Sequence, residues 1–270
     1  MWALLRATHF GPSVAVTLFA VMLAWGAGRG AGTLWVATSV LAGQFSIGWA
    51  NDWLDATRDR RVGRRDKPIV AGAVQLSTVR GAALTAATLC VPLSFASGIA
   101  AGSAHVTAVA LGWGYDAGLK STAVSVLPFA GAFALLPVSV ALGTASGGSG
   151  PWWAAVGGGL LGAGAHFANV LPDLADDAAT GVRGLPQRLG LKGSVAAAAA
   201  LLAAGVLVVC LAPAGRVGVV RLTSLVAGLA CVAVTAAAGA AERPRLAFPA
   251  AIAAVAAVMV GFATVGDQLS

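Results

Sequence analysis

The chain has 270 residues, of which 58% are hydrophobic and 10% charged, with a mean hydropathy of +0.85. This composition excludes an ordinary soluble domain, and at about 20 residues per bilayer crossing the length holds roughly eight to ten helices and little else. The net charge of +7 gives no reason to expect a nucleic-acid partner, because the polar, aromatic-interleaved surface that such binding needs is missing; it reads as basic loops on a membrane protein.

Apolar runs between charged or Pro/Gly-rich breaks predict nine spans, at 11–28, 33–51, 79–97, 99–115, 123–143, 152–171, 193–212, 219–239 and 246–265. Only Ala96-Ser97-Gly98 separates the third span from the fourth, so eight is the alternative count, although 79–115 is too long for one crossing. The expected fold is all-α: a single domain over 1–270, four helices pseudo-repeated as four more plus one, in a multi-pass membrane bundle. With nine spans, fourteen of the seventeen Lys and Arg residues fall on the side of the N-terminus, and only Arg29, Arg216 and Arg221 on the other. The positive-inside rule then places the N-terminus and both acidic clusters in the cytoplasm and the C-terminus outside; the expected location is the plasma membrane. Trp2, Trp49, Trp53 and Trp113 fall near the inner span ends, and Trp25, Trp35, Trp152 and Trp153 near the outer ends, as interfacial belts require. The first span resembles a cleavable signal peptide, but a retained signal anchor fits the charge count. Cys90, Cys210 and Cys231 lie in apolar spans without paired spacing and read as small core residues.

Seven of the ten acids sit in two clusters, Asp52, Asp55, Asp59 and Asp66 in one stretch and Asp173, Asp176 and Asp177 in another. Ionisable groups cost roughly 2.5–3.5 kcal/mol at the centre of a membrane helix, so they persist where they work or face water. The first cluster ends the second span and reads Asn51-Asp52-Trp53-Leu54-Asp55-Ala56-Thr57-Arg58-Asp59; on a helix, 51, 55 and 59 share one face. Carboxylates stacked one turn apart repel unless a cation sits among them, and hard oxygens of this kind suit Mg2+ with substrate phosphate. The second cluster, with Asp173, Asp176 and Asp177, ends the sixth span on the same side. Two acidic helix ends, each holding Mg2+ against one diphosphate, are what ionising an allylic diphosphate requires. The plain alternative is solvated loop acids balancing neighbouring arginines.

These residues resemble the UbiA superfamily of intramembrane prenyltransferases. The first cluster matches Asn-Asp-x-x-Asp-x-x-x-Asp, followed by Arg65-Asp66-Lys67-Pro68-Ile69-Val70-Ala71-Gly72. The second matches Asp-x-x-x-Asp-x-x-x-Gly at Asp173, Asp177 and Gly181, followed by Gly184-Leu185-Pro186-Gln187-Arg188-Leu189-Gly190. Tyr115-Asp116-Ala117-Gly118-Leu119-Lys120 is similar to the family's Tyr-x-x-x-Leu-Lys segment. The resemblance implies a bundle around a central cavity that binds an isoprenyl diphosphate through two Mg2+ ions. Asn51, Asp52, Asp55 and Asp59 would hold one ion, and Asp173 and Asp177, with Asp176 beside them, the other. Asp55, Asp173 and Lys120 are the expected catalytic residues, and Lys67, Lys120, Tyr115, Arg60 and Arg64 the candidates for touching diphosphate oxygens. Lys120 stands out as the only base in its loop, whereas the run from Arg58 to Arg65 also serves as a topology signal.

The acceptor, a small molecule or a lipid, is not legible. Arg6, His9, Gln44, His105 and His166 are the polar groups placed to line a cavity, and Gln44, two turns from Asn51 on a similar face, is the best placed for the pocket below the metals. An intramembrane terpene cyclase is the alternative with the same diphosphate chemistry. A transporter using the acids as an ion path is the alternative from another class.

Overall fold

The computed structural model describes every residue except Met1, Ala175, Asp176, Ala178, Ala179 and Glu242. Ten α-helices run between described residues, and no strand occurs among them. They are α1 (Trp2–Arg6), α2 (Phe10–Gly26), α3 (Gly32–Arg61), α4 (Leu76–Phe95), α5 (Ile99–Asp116), α6 (Val126–Leu142), α7 (Trp152–Val170), α8 (Leu185–Leu211), α9 (Val219–Ala240) and α10 (Pro244–Ala263). The helices from α2 to α10 correspond in order to the nine predicted spans. By length and apolarity alone, α4, α7, α8, α9 and α10 suffice to cross a membrane, while α2 and α6 are shorter apolar helices of 17 residues each. Polar residues lower the hydropathy of the other two, among them Gln44 and Ser46 in α3 and Ser103 and His105 in α5.

From α2 onward each helix packs on its neighbours in the chain, and α10 returns against α2 and α7, closing the bundle. Short connections between successive helices make this arrangement the economical one. The core runs through Leu23, Val40, Val140, Leu161, Phe167, Leu202, Val206 and Val258. Hydrophobicity gives little preference for protein over lipid, so close backbone approach decides which faces turn inward. In α7, a Cβ on Gly158 would stand 2.4 Å from the Phe133 carbonyl oxygen, and one on Gly162 2.7 Å from that of Phe129. The two missing side chains let α6 and α7 touch through their backbones.

Three features depart from the sequence expectation. A short helix, α1, precedes the first span. Trp153 is not a belt residue: at 3% exposure it packs on Phe262, with ring centroids 5.1 Å apart, whereas Trp25, Trp35 and Trp152 are exposed. One residue after the exposed Trp152, and so about 100° round the helix, its side chain points inward. Finally, α8 begins before its span, and its backbone breaks at Gly190 (φ 69°, ψ −178°), setting residues 185–189 apart as a separate lead at the acidic end. Cys90, Cys210 and Cys231 are free. A cavity of about 10 Å3, room for roughly one water, is lined by Val36, Ser39, Val40, Ser94, Ser97, Ala101, His105 and Ser139 in the half of the bundle away from the acids.

Candidate active site

Helix α3 has 30 residues and is therefore about 45 Å long, longer than the roughly 30 Å of a bilayer core. Its last ten residues carry the first acidic cluster beyond the span. Asp52, Asp55 and Asp59 are all buried, and protein cations supply their counter-charge. Lys120 Nζ donates to Asp55 Oδ1 at 2.5 Å, and Arg58 Nη2 to Asp55 Oδ2 at 2.9 Å. Three residues earlier on the helix, Asp52 Oδ1 accepts from Lys67 Nζ at 2.5 Å and lies 3.3 Å from His9 Nε2. The His9 backbone is left-handed (φ 53°), which turns the ring at the start of α2 onto α3.

The second cluster follows α7 through the 3-10 turn Leu171–Asp173. Arg64 Nη1 reaches Asp173 Oδ1 at 3.2 Å, Arg58 Nη1 lies 3.7 Å from Asp177 Oδ1, and Gln187 Nε2 donates to Asp177 Oδ2 at 2.8 Å. Two arginines, Arg58 within the first motif and Arg64 just past it, thus join the two acidic clusters at one end of the bundle. The motifs also repeat one another. Asn51, Asp55, Asp59 and Gly63 recur 118 positions later as Asn169, Asp173, Asp177 and Gly181, and both glycines adopt positive φ, 70° and 83°, where glycine turns the chain without strain.

Burial disfavours the ionised form of Asp52, but His9 and Lys67 outweigh it and hold the carboxyl below the usual carboxylate range. Burial raises Asp59, with the Asp55 charge adding to the effect, and raises Asp177, with Asp173 adding there. On the rim, the hydrogen bond from Arg64 lowers Asp66. Below the charged layer lies an aromatic floor. Tyr115 stands edge-on to Phe129 at 5.0 Å and to His166 at 5.5 Å, and Phe129 is 5.0 Å from His166. His166 Nε2 pairs with Ser125 Oγ at 3.2 Å, and its Nδ1 is buried without a partner.

Asn51, Asp52, Asp55, Asp59, Lys67, Lys120, Arg64, Asp173 and Asp177 therefore share one site, with Tyr115 in its floor. Gln44 is half-buried on α3, seven residues and about 10 Å before Asn51. Arg60 lies exposed, because one position past Asp59 it leaves the inward face, and Arg58 stands where Arg60 was expected, three residues from Asp55. Asp176 is outside the described residues. The sequence reading assigned no site role to Arg58, Asp116 or Gln187. The i,i+3 spacing of Asp55 and Arg58 was the available signal for the first; the other two carry none, since their partners are distant in the chain.

Among the described residues, no three His, Cys, Asp or Glu side chains converge on one point, because Lys and Arg groups stand between the carboxylates. The donor set nevertheless suits a divalent cation. It offers hard oxygens throughout, and Asp52 Oδ2 is buried with no hydrogen-bond partner, a free acceptor of the kind a cation uses.

The description "UbiA prenyltransferase family" matches residues 13–250. Comparison with curated protein sequences finds no match. Among solved structures, an apo UbiA homolog from Aeropyrum pernix K1 superposes with a TM-score of 0.74 at 21% identity, over 91% of this chain and 96% of that one. A UbiA homolog from Archaeoglobus fulgidus bound to GPP and Mg2+ gives 0.71 at 17% identity, over 97% and 99%. A digeranylgeranylglyceryl phosphate synthase gives 0.69 at 16% identity, over 98% of each chain. At these identities the likeness is one of fold, an all-helical membrane bundle, and the family match over most of the chain gives the assignment: the chain belongs to the UbiA prenyltransferase family.

Proposed function

We propose that the protein is an integral-membrane prenyltransferase, moving a prenyl group from an isoprenyl diphosphate to a small or lipid acceptor with the help of Mg2+, its acidic end facing the cytoplasm of the cell. The observation that carries this reading is the meeting of the two acidic clusters through Arg58 and Arg64, above a floor of aromatic rings. The Archaeoglobus fulgidus homolog with GPP and Mg2+ is the ground for the donor class and the ion.

Asn51, Asp55 and Asp59, with Asp52, would hold one ion and Asp173 and Asp177 the other; when bound, Mg2+ neutralises charge on the leaving diphosphate. The chain's own residues do the rest. Lys120, Lys67, Arg58 and Arg64 exchange their carboxylate partners for diphosphate oxygens, which keeps the charge of the layer balanced. As the allylic C–O bond lengthens, these fixed cations stabilise the developing negative charge on the leaving group. Beneath them, the faces of Tyr115 and Phe129 stabilise the positive prenyl fragment, and the apolar helices exclude water that would capture it before the acceptor.

The test is prenyl transfer in membranes carrying Asp55→Ala or Asp173→Ala. Both variants are expected to insert normally and lose Mg2+-dependent transfer; full activity in either one overturns the reading. Labelled geranyl, farnesyl, geranylgeranyl and longer diphosphates with cell extract, followed by mass identification of the product, then give donor length and acceptor together.

A further inference from the structure

Asp116 ends α5 and is 5% exposed. Its Oδ1 accepts a hydrogen bond from Asn51 Nδ2 at 2.8 Å, while its Oδ2 is buried with no partner. An acid at a helix C-terminus meets the negative end of the dipole, and an unpaired buried acceptor adds a further desolvation cost. Stability is therefore a poor reason for an aspartate here.

We infer that Asp116 is a positioning residue that orients the Asn51 amide toward a bound divalent cation; the inference rests on the functional reading above. The Asn51 nitrogen lies between two acceptors, Asp116 Oδ1 at 2.8 Å and Asp55 Oδ2 at 3.4 Å. An amide carries donors only on nitrogen, so a flipped Asn51 would set its oxygen against two carboxylate oxygens. Held by its nitrogen, Asn51 keeps Oδ1, which accepts no hydrogen bond among the described residues, as the hard ligand on the face it shares with Asp55 and Asp59. The same geometry explains why position 51 is an amide. A carboxylate there would oppose both Asp55 and Asp116 with like charge and could donate to neither. Asp116 itself needs no contact with the cation, as is usual for groups that orient ligands from behind.

The test uses the full chain purified in detergent, with Mg2+ and inorganic pyrophosphate as probes and binding followed by calorimetry. Asp116→Leu keeps the branched shape of the side chain and Asp116→Ala does not; both delete the acceptor and are expected to weaken Mg2+ binding by about 10–100-fold, with the metal-free unfolding temperature little changed. Asp116→Asn still offers an accepting oxygen and is expected to retain most of the affinity. In an Asn51→Ala background, losing Asp116 should cost no further affinity. Unchanged Mg2+ binding in the Leu and Ala variants overturns the inference. So does an Asn variant as weak as these, or a loss that persists without Asn51, either of which makes Asp116 a ligand or a simple charge. Wild-type protein that binds no Mg2+ with pyrophosphate overturns the functional reading and this inference together, whereas wild-type binding matched by Asp116→Leu overturns this inference alone.

Discussion

Lys120 is the single Lys or Arg between Arg80 and Arg183 in the sequence, and its ammonium sits on Asp55 Oδ1. Lys120→Met keeps the stem and removes the charge. It is expected to lower the initial rate of prenyl transfer by about 10²–10³-fold, the usual loss when one preorganised donor is removed from a leaving-group site. Asp59 and Asp177 make a pH prediction with two opposed signs. Their folded-state pKa values are raised by burial, so on acidification they take up protons in the folded protein before they do in the unfolded chain. As pH falls from the raised values toward the ordinary aspartate value near 4, their contribution to metal-free stability increases while their capacity to bind Mg2+ declines. Thermal unfolding in EDTA and Mg2+ titration across that window are expected to move in opposite directions. Gln187→Leu removes a hydrogen bond that opposes the rise at Asp177 and is expected to shift the acidic loss of Mg2+ binding to higher pH.

Among the elements, α7 lies close against its neighbours. Gly158→Val would press a branched side chain into the Phe133 carbonyl and force α6 from α7, at about 1–3 kcal/mol or more; a lower unfolding temperature in detergent checks it. At the other end of the bundle, Arg221 in α9 is buried and donates twice to the Cys210 carbonyl and once to that of Pro213. It ties down the carbonyl end of α8, which lacks partners of its own. Arg221→Met leaves those carbonyls bare and is expected to cost about 1.5–3 kcal/mol with little effect on diphosphate binding. An equal loss of both would mean that the two ends of the bundle are coupled.

For the whole molecule, the charge asymmetry of the loops predicts orientation. With Cys90, Cys210 and Cys231 replaced by serine, a cysteine at Val62 is expected to react with an impermeant maleimide only after cells are opened, and one at Arg29 in intact cells. The reverse pattern inverts the topology.

How much of this was legible in the sequence depends on range. The helices were readable because a bilayer imposes length and apolarity on each span separately, and α2 to α10 answer to the nine runs in order. Asn51, Asp55 and Asp59 were readable as one face because helical periodicity is local. What neither length nor periodicity carries is which faces meet. Trp153 turns inward because α10 lies beside it. Arg58 belongs to the site because the end of α7 comes within reach, and Asp116 faces Asn51 because α5 packs against α3. In the sequence Asp116 is one acid outside both clusters. The chain by itself determined the nine apolar spans and where the two acidic ends fall; only the closed bundle, which brings residue 58 to residue 177 and residue 51 to residue 116, decided which cations and which buried carboxylate meet there.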